Sequence, residues 1–326
     1  MSDEELSLGT ALRQTSPKSS VFDVDTSKNR IHGVECIAGS ITSKGDVNEA
    51  FKSVQPKVVF HTVSPGPFSK NNRLFDSVNV DGTKNIIASA QKCDCTKALV
   101  YTSSSSVIHD NRSDLILATE DAPVIFMPEQ TEYYSHTKAI AETLVLGANK
   151  QNIRTSAIRP AGLFGEGDTG TIGDNSNLFD WSYVENNASS QLLTARALVS
   201  SYLHPPKAES DRVDGEAFAI TNDEPWLFWT FTRALAAAAG YPVIEDKIIR
   251  APWALMMGIA WLLEWGYWIF SFGIEEPRLN RARVKYTTMQ RTLNISKAKA
   301  RLGYRPQVGM QEGIERSAKW FLESAL

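Results

Sequence analysis

A doubly wound α/β fold, with a parallel sheet covered by helices on both faces, is predicted by three observations on the 326-residue chain. Short apolar runs rich in Val, Ile, Phe and Tyr alternate with helical patterns through the first half. Those runs end in polar clusters, namely Asp23 and Asp25, the stretch HTVSP at 61–65, and the serine run 103–106. Such strand ends are where ligands gather in these sheets. Beyond about residue 170 the alternation gives way to helical and irregular segments, so a smaller, mainly helical C-terminal lobe is expected beside the sheet.

In order, SSVFDVD (19–25) reads as a strand whose carboxyl end carries Asp23. VNEAFKSV (47–54) follows as a helix, KVVFHTVS (57–64) as the next strand, and GTKNIIASAQKC (82–93) as its helix. KALVYTSSS (97–105) is an apolar strand ending in hydroxyls, YYSHTKAIAETLVL (133–146) an amphipathic helix, and IRTSAIRP (153–160) a further strand. Near the C-terminus, Asn294 or Ser296 is placed to cap a helix running to Leu302, which Gly303 and Pro306 stop. The patterns divide the chain into a sheet domain over 1–170 and a substrate lobe over 171–326.

A formal net charge of -3 gives no global attraction to phosphate backbones, so a small-molecule partner is expected and a nucleic acid is not. Cys36, Cys93 and Cys95 are too few and too poorly spaced for a disulfide framework or a metal site, and read as reduced thiols. The opening MSDEELSLGTALRQTSPKSS is polar where a signal peptide needs an apolar core, so none is expected.

Residues 251–273, APWALMMGIAWLLEWGYWIFSFG, hold one charge, Glu264, and four tryptophans at 253, 261, 265 and 268. The length suits a transmembrane span, but a mid-run carboxylate is costly in hydrocarbon. Tryptophans spread along the run suit an interfacial segment that contacts a membrane peripherally. A buried lobe helix is the remaining reading.

Tyr134 and Lys138 stand four residues apart in a helix and so project from one face. An ammonium near a phenol favours the phenolate and lowers a pKa that starts near 10. Tyr133 has Thr137 at the equivalent spacing and no such partner. The spacing alone also fits an ordinary helix surface. Serines ending the preceding strand, and Arg159 and Pro160 ending the following one, supply the context in which a serine holds a substrate oxygen while the tyrosine moves its proton.

These segments, with VNVDGTKNII (78–87), NLFDWSYVENNA (177–188) and NISKAKARLGYRP (294–306), make the chain resemble the extended short-chain dehydrogenase/reductase family. Within it, the 3β-hydroxysteroid dehydrogenase branch is the best match. The resemblance implies a Rossmann-like sheet and NAD as cofactor. It implies Tyr134 as general acid/base, Lys138 as its cofactor-holding partner and Ser104 as the hydroxyl on the reacting oxygen. It also implies Asp23 on the adenosine ribose, His61 in the loop under the cofactor, Asn79 supporting the site from the next helix, and Arg159 and Pro160 against the nicotinamide. The implied reaction is oxidation of a 3β-hydroxyl on a sterol or triterpenoid, with loss of a 4α-carboxylate as carbon dioxide where one is present. The implied location is the cytosolic face of the endoplasmic reticulum or a lipid droplet. The same residue set also fits a nucleotide-sugar epimerase or reductase.

The chain departs from that family at three places. It has no strand and glycine-rich turn before residue 19, so the sheet is expected to lack its first, central strand. It has only TGT between GEGD (165–168) and IGDNSNLFDWSYV, and Ser40 stands where an aspartate is usual. A protein that folds around the same core and binds ligand without turnover is therefore a further reading.

Overall fold

A computed structural model describes residues 19–324 except 28–29, 31, 68, 70, 151, 163–170, 205, 207, 243–247, 272–276 and 278. The opening segment and the GEGD stretch thus lie outside the described residues. Four parallel strands form the main sheet in the order β3 (Val58–His61), β4 (Ala98–Thr102), β6 (Arg154–Pro160) and β9 (Glu216–Ile220). Every residue of β4 is buried, the result of covering both faces of a parallel sheet. Alternate residues serve opposite cores. Leu99 and Tyr101 face one with Ile86, Ala141 and Val145, and Ala98 and Val100 face the other with Leu198, Phe218 and Leu302.

The helices sit in the crossovers. Lys44–Val54 (α1) is capped by Ser43, whose hydroxyl accepts from the Asp46 amide. A short turn, Asn72–Phe75 (α2), runs through a π-helical stretch, Asp76–Gly82, into Thr83–Lys92 (α3). Tyr133–Gly147 (α4) joins β4 to β6. Val184–Leu203 (α5) carries the chain from β6 to β9.

Among the described residues the parallel strands up to β4 fall into two separate ladders. β1 (Ser20–Asp23) and β2 (Glu35–Ala38) pair with each other in parallel, and among the described residues no ladder joins them to β3. Phe22 instead packs on the core of the α1–α3 side. A Cβ on Gly39 would come within 2.5 Å of the Phe22 ring, so this glycine permits the close approach. The sequence did not reveal β2, because GVECIAGS has no sustained apolar run and the strand is nowhere fully buried.

The division at residue 170 is not a spatial one. β9 comes from beyond it and completes the main sheet, whereas β5 (Leu115–Ala118) comes from before it and pairs with β12 (Arg291–Leu293) of the lobe. The long α5 acts as one more crossover, returning the chain to the edge of β6. In the lobe, β12 also meets β8 (Leu178–Phe179), which pairs with β10 (Trp226–Leu227), and β7 (Thr171–Ile172) pairs in parallel with β11 (Arg250–Ala251). Trp226–Leu227 leads into α6 (Phe228–Ala238). Phe179, Trp181, Phe228, Phe231 and Ile314 build a third, aromatic core, with Trp181 stacked on Phe231 at 4.0 Å.

The apolar run forms α7 (Trp253–Ser271). Ala260 is its buried residue, while Trp261, Trp265, Trp268 and Phe270 are all exposed. Glu264 is neutralised by Arg281 of α8 (Arg281–Tyr286), whose Nε donates to it at 2.7 Å. No described helix is long and apolar enough to cross a membrane. Farther on, Asn294 Oδ1 accepts from the Ser296 amide at the start of α9 (Ser296–Arg301), and Gly303 takes the left-handed conformation past its end. The chain closes with α10 (Met310–Ser324).

Candidate active site

Strand ends and the first turn of α4 bring Ser104, Tyr134 and Lys138 to the carboxyl edge of the sheet. Ser104 follows β4 in extended conformation and begins a short 3-10 turn. Its Oγ accepts from the Ser106 amide at 3.1 Å and from the Ser106 hydroxyl at 2.8 Å. Both of those bonds use lone pairs, so the Ser104 proton is the part left to donate to a substrate oxygen.

Lys138 is 2% exposed and its Nζ donates to the Thr102 carbonyl at 2.7 Å, lying 4.9 Å from the Tyr101 ring centroid. A buried ammonium fixed on a strand carbonyl beneath α4 is an anchored charge rather than a mobile surface cation. Tyr134 stands one turn earlier on the helix, edge-on to Phe75 at 5.9 Å. The neighbouring phenol is in a different state. Tyr133 donates to both oxygens of Asp76 at 2.9 Å, and that bond raises its pKa. A phenol held against a carboxylate resists giving up its proton, so of the two adjacent tyrosines Tyr134 is suited to proton transfer.

The π-helical stretch supports the start of α4. Asn79, 1% exposed, donates from Nδ2 to Thr137 Oγ1 at 3.0 Å, and Thr137 donates to the Tyr134 carbonyl at 3.0 Å. Thr83 gives its hydroxyl proton to the Asn79 carbonyl, so His61 Nε2 must be the donor in its 2.8 Å contact with Thr83 Oγ1. Burial, aided by the Lys138 charge, pushes the His61 pKa down to about 3. His61 is therefore a neutral positioning group at any ordinary pH. π-turns recur at functional sites because they re-aim side chains within a helix.

Arg159 stands apart from its expected place. Its guanidinium is 3% exposed and forks onto Glu142 of α4, with Nη2 at 2.6 Å and Nε at 3.0 Å. The side chain thus ties β6 to α4. Asp23 ends β1 and its carboxylate caps the following turn by accepting from the Asp25 amide at 3.1 Å.

The residues present fit a dinucleotide at two of its parts. Asn79 Oδ1 and the Tyr101 hydroxyl are buried polar atoms with no hydrogen-bond partner, the Tyr101 ring lying against the anchored Lys138. Such orphaned groups suit the polar ring and ribose of a nicotinamide nucleotide. Asp23 offers acceptors for a ribose diol at the end of β1. No glycine-rich turn occurs among the described residues, so a pyrophosphate cradle is not part of this set.

Sequence reasoning missed Arg291. It lies on β12, is 8% exposed and sits 5.9 Å from the ring centroids of both Phe179 and Tyr286. Burial pushes its pKa down, and Tyr286 and Tyr134 are close enough to oppose that shift. RTLNIS read only as the lead-in to a helix, and one arginine there carried no signal.

The sequence model of the 3-beta hydroxysteroid dehydrogenase/isomerase family matches residues 12–249. A decarboxylating sterol-4-alpha-carboxylate 3-dehydrogenase of Schizosaccharomyces pombe is 37% identical over 318 residues, covering 92% of this chain and 88% of the relative. The Mus musculus enzyme of the same name is 34% identical over 307 residues, covering 88% and 80%. Among solved structures, the UDP-glucose 4-epimerase of Thermotoga maritima superposes with a TM-score of 0.70 at 15% identity, covering 99% of this chain and 96% of that one. The Thermus thermophilus UDP-glucose 4-epimerase complex with NAD gives 0.70 at 17% identity, covering 98% and 96%. At such identities the structural likeness speaks for the fold alone.

Proposed function

Because the chain belongs to the 3-beta hydroxysteroid dehydrogenase/isomerase family, we propose that it oxidises the 3β-hydroxyl of a 4α-carboxylated sterol or triterpenoid and releases the carboxylate as carbon dioxide. NAD, when bound, supplies the hydride acceptor. The observation that carries the reading is the state of Tyr134, on a helix start pinned by Asn79, with the buried Lys138 one turn on and Ser104 offering its proton from the strand end. Ser104 holds the C3 oxygen. Tyr134, as phenolate, takes the hydroxyl proton as C3 becomes a ketone. The C4–carboxylate bond of the resulting β-keto acid then breaks, its electron pair passes into the C3 carbonyl, and the enolate takes a proton from water at C4. No further base is required.

An open cavity of about 600 Å³ in the lobe, lined by Ile172, Asp174, Asn177, Arg250, Pro252 and Trp253, is within the usual size for ligand pockets and combines apolar walls with two charged groups. The test is incubation with NAD and a panel of 4-carboxysterols, 3β-hydroxysterols and UDP-sugars. NADH and carbon dioxide should appear in equal amounts with the carboxysterols. Turnover of a UDP-sugar without turnover of any sterol would defeat the reading.

The exposed tryptophans of α7 support a place for this helix at a lipid surface beside the cavity, whose wall includes Trp253. Its one charge is already paired with Arg281, so shallow burial leaves no bare carboxylate. The location in keeping with this is the cytosolic face of the endoplasmic reticulum or a lipid droplet. Full-length protein should float with phosphatidylcholine liposomes, and replacing Trp265, Trp268 and Phe270 together with Ser should leave it in the soluble fraction. Unchanged flotation of the triple variant would assign membrane contact elsewhere.

A further inference from the structure

Gln130 is fully buried and uses the whole of its side-chain amide. Nε2 donates to the Ser106 carbonyl at 3.2 Å and to the His109 carbonyl at 2.7 Å. Oε1 accepts from the Glu132 amide at 3.0 Å and from Asn111 Nδ2 at 2.7 Å. Three of these four partners are backbone groups with fixed donor and acceptor roles, so the side chain can face only one way. An ionised glutamate there would turn a carboxylate oxygen toward two carbonyls, and an asparagine is one methylene too short.

The four bonds join two separate elements. Ser106 lies in the 3-10 turn Ser105–Ile108 and His109 ends it, whereas Glu132 is the N-cap of α4. Ser106 in turn gives both its amide and its hydroxyl to Ser104 Oγ. A continuous run of hydrogen bonds therefore leads from the start of α4, through Gln130 and Ser106, to the Ser104 oxygen. Tyr134 stands two residues on from that same start. Other contacts of this loop reach one element each: the Ile125 amide donates to the Val107 carbonyl at 2.8 Å, and the Met127 amide to His136 Nδ1 at 3.1 Å. Lys138 pins the helix one turn later, to the Thr102 carbonyl, whereas Gln130 pins its first turn to the serine turn. Resting on the reading in which Ser104 and Tyr134 share the C3 oxygen, we propose that Gln130 is a positioning residue that sets the separation of their two hydroxyls. A proton passed between held groups is sensitive to displacements of an ångström or less, so the spacing needs a rigid strut and a saturated buried amide supplies one.

The experiment is a double-mutant cycle on the full-length chain with NAD and a 4α-carboxy-3β-hydroxysterol, comparing wild type, Gln130→Met, Ser104→Ala and the double variant. Methionine keeps the length and burial of Gln130 and loses its four bonds. In the wild-type background it should lower kcat/KM about ten- to a hundred-fold, and in the Ser104→Ala background by less than about threefold. Equal factors in both backgrounds would assign Gln130 to packing alone and overturn the proposal. A second reading needs no turnover: by quenching of tryptophan fluorescence, Gln130→Met should weaken binding of a 3-ketosterol about tenfold and leave a 3-deoxysterol unaffected. Equal weakening of the two ligands would also overturn it. If Gln130→Met fails to fold, Asn111→Gly decides, because it removes one of the four bonds at a φ of 58° that glycine favours. It should show the same pattern at a few-fold scale, and unchanged kinetics or equal losses in both backgrounds would defeat the proposal. Wild-type sterol turnover in both Ser104→Ala and Tyr134→Phe would instead overturn the reading of the site, a result distinct from the additive cycle that sinks Gln130 alone.

Discussion

Tyr134→Phe is expected to lower kcat for the carboxysterol by about a hundred- to ten-thousand-fold, with the substrate dissociation constant changed by no more than about twofold. The substitution removes one oxygen and keeps the ring that packs edge-on to Phe75. The helix start stays pinned because Thr137 donates to the backbone carbonyl of residue 134, which the substitution does not alter. The loss should therefore fall on proton transfer alone. Tyr133→Phe is the control. It breaks the bond to Asp76 at the edge of the π-helical stretch but leaves the proposed acid in place, so its effect should be far smaller. If the two variants lose activity equally, the choice between adjacent phenols is wrong.

Glu142→Ala is expected to destabilise the protein by about 3–5 kcal/mol in urea unfolding, because it strands the Arg159 guanidinium without its acid in the core. Glu142 is 1% exposed and Arg159 is 3% exposed, so neither charge can recover water by a small movement. Removing both charges with apolar residues, as in Glu142→Leu with Arg159→Met, should recover most of that loss. The pair joins the helix that carries Tyr134 and Lys138 to β6. A fall of less than about 1 kcal/mol for the single variant would mean that water reaches the site.

Much of this site was legible in the sequence because its residues sit at ends of strongly patterned elements. The ALVYT run marks a strand buried on both faces, so the serines after it had to lie at the ligand edge. Tyr134 and Lys138 do share one helix, as their spacing implied, though the spacing alone also fits an ordinary helix surface. What the sequence hid is what depends on packing between distant segments. Arg159 ends a strand as expected, but its partner Glu142 lies on another element, and no local pattern announces the pair. Arg291 enters the site from the far end of the chain through a three-residue strand. The return of β9 to the sheet was equally hidden: Asp214 and Gly215 mark a turn before EAFAI, but no local pattern says that this one five-residue strand pairs with β6 rather than within the lobe.

The discontinuity between the β1–β2 pair and the four-stranded ladder separates two tasks mechanically. With no interstrand bond between them among the described residues, the stretch ending in Asp23 can open at lower free energy than the block bearing Tyr134. If Asp23 holds the adenosine ribose as proposed, its grip can loosen while the block bearing Tyr134 stays rigid. A dinucleotide reaching from Asp23 to Lys138 would act as a splint across the two blocks, lending cohesion that no ladder among the described residues supplies there.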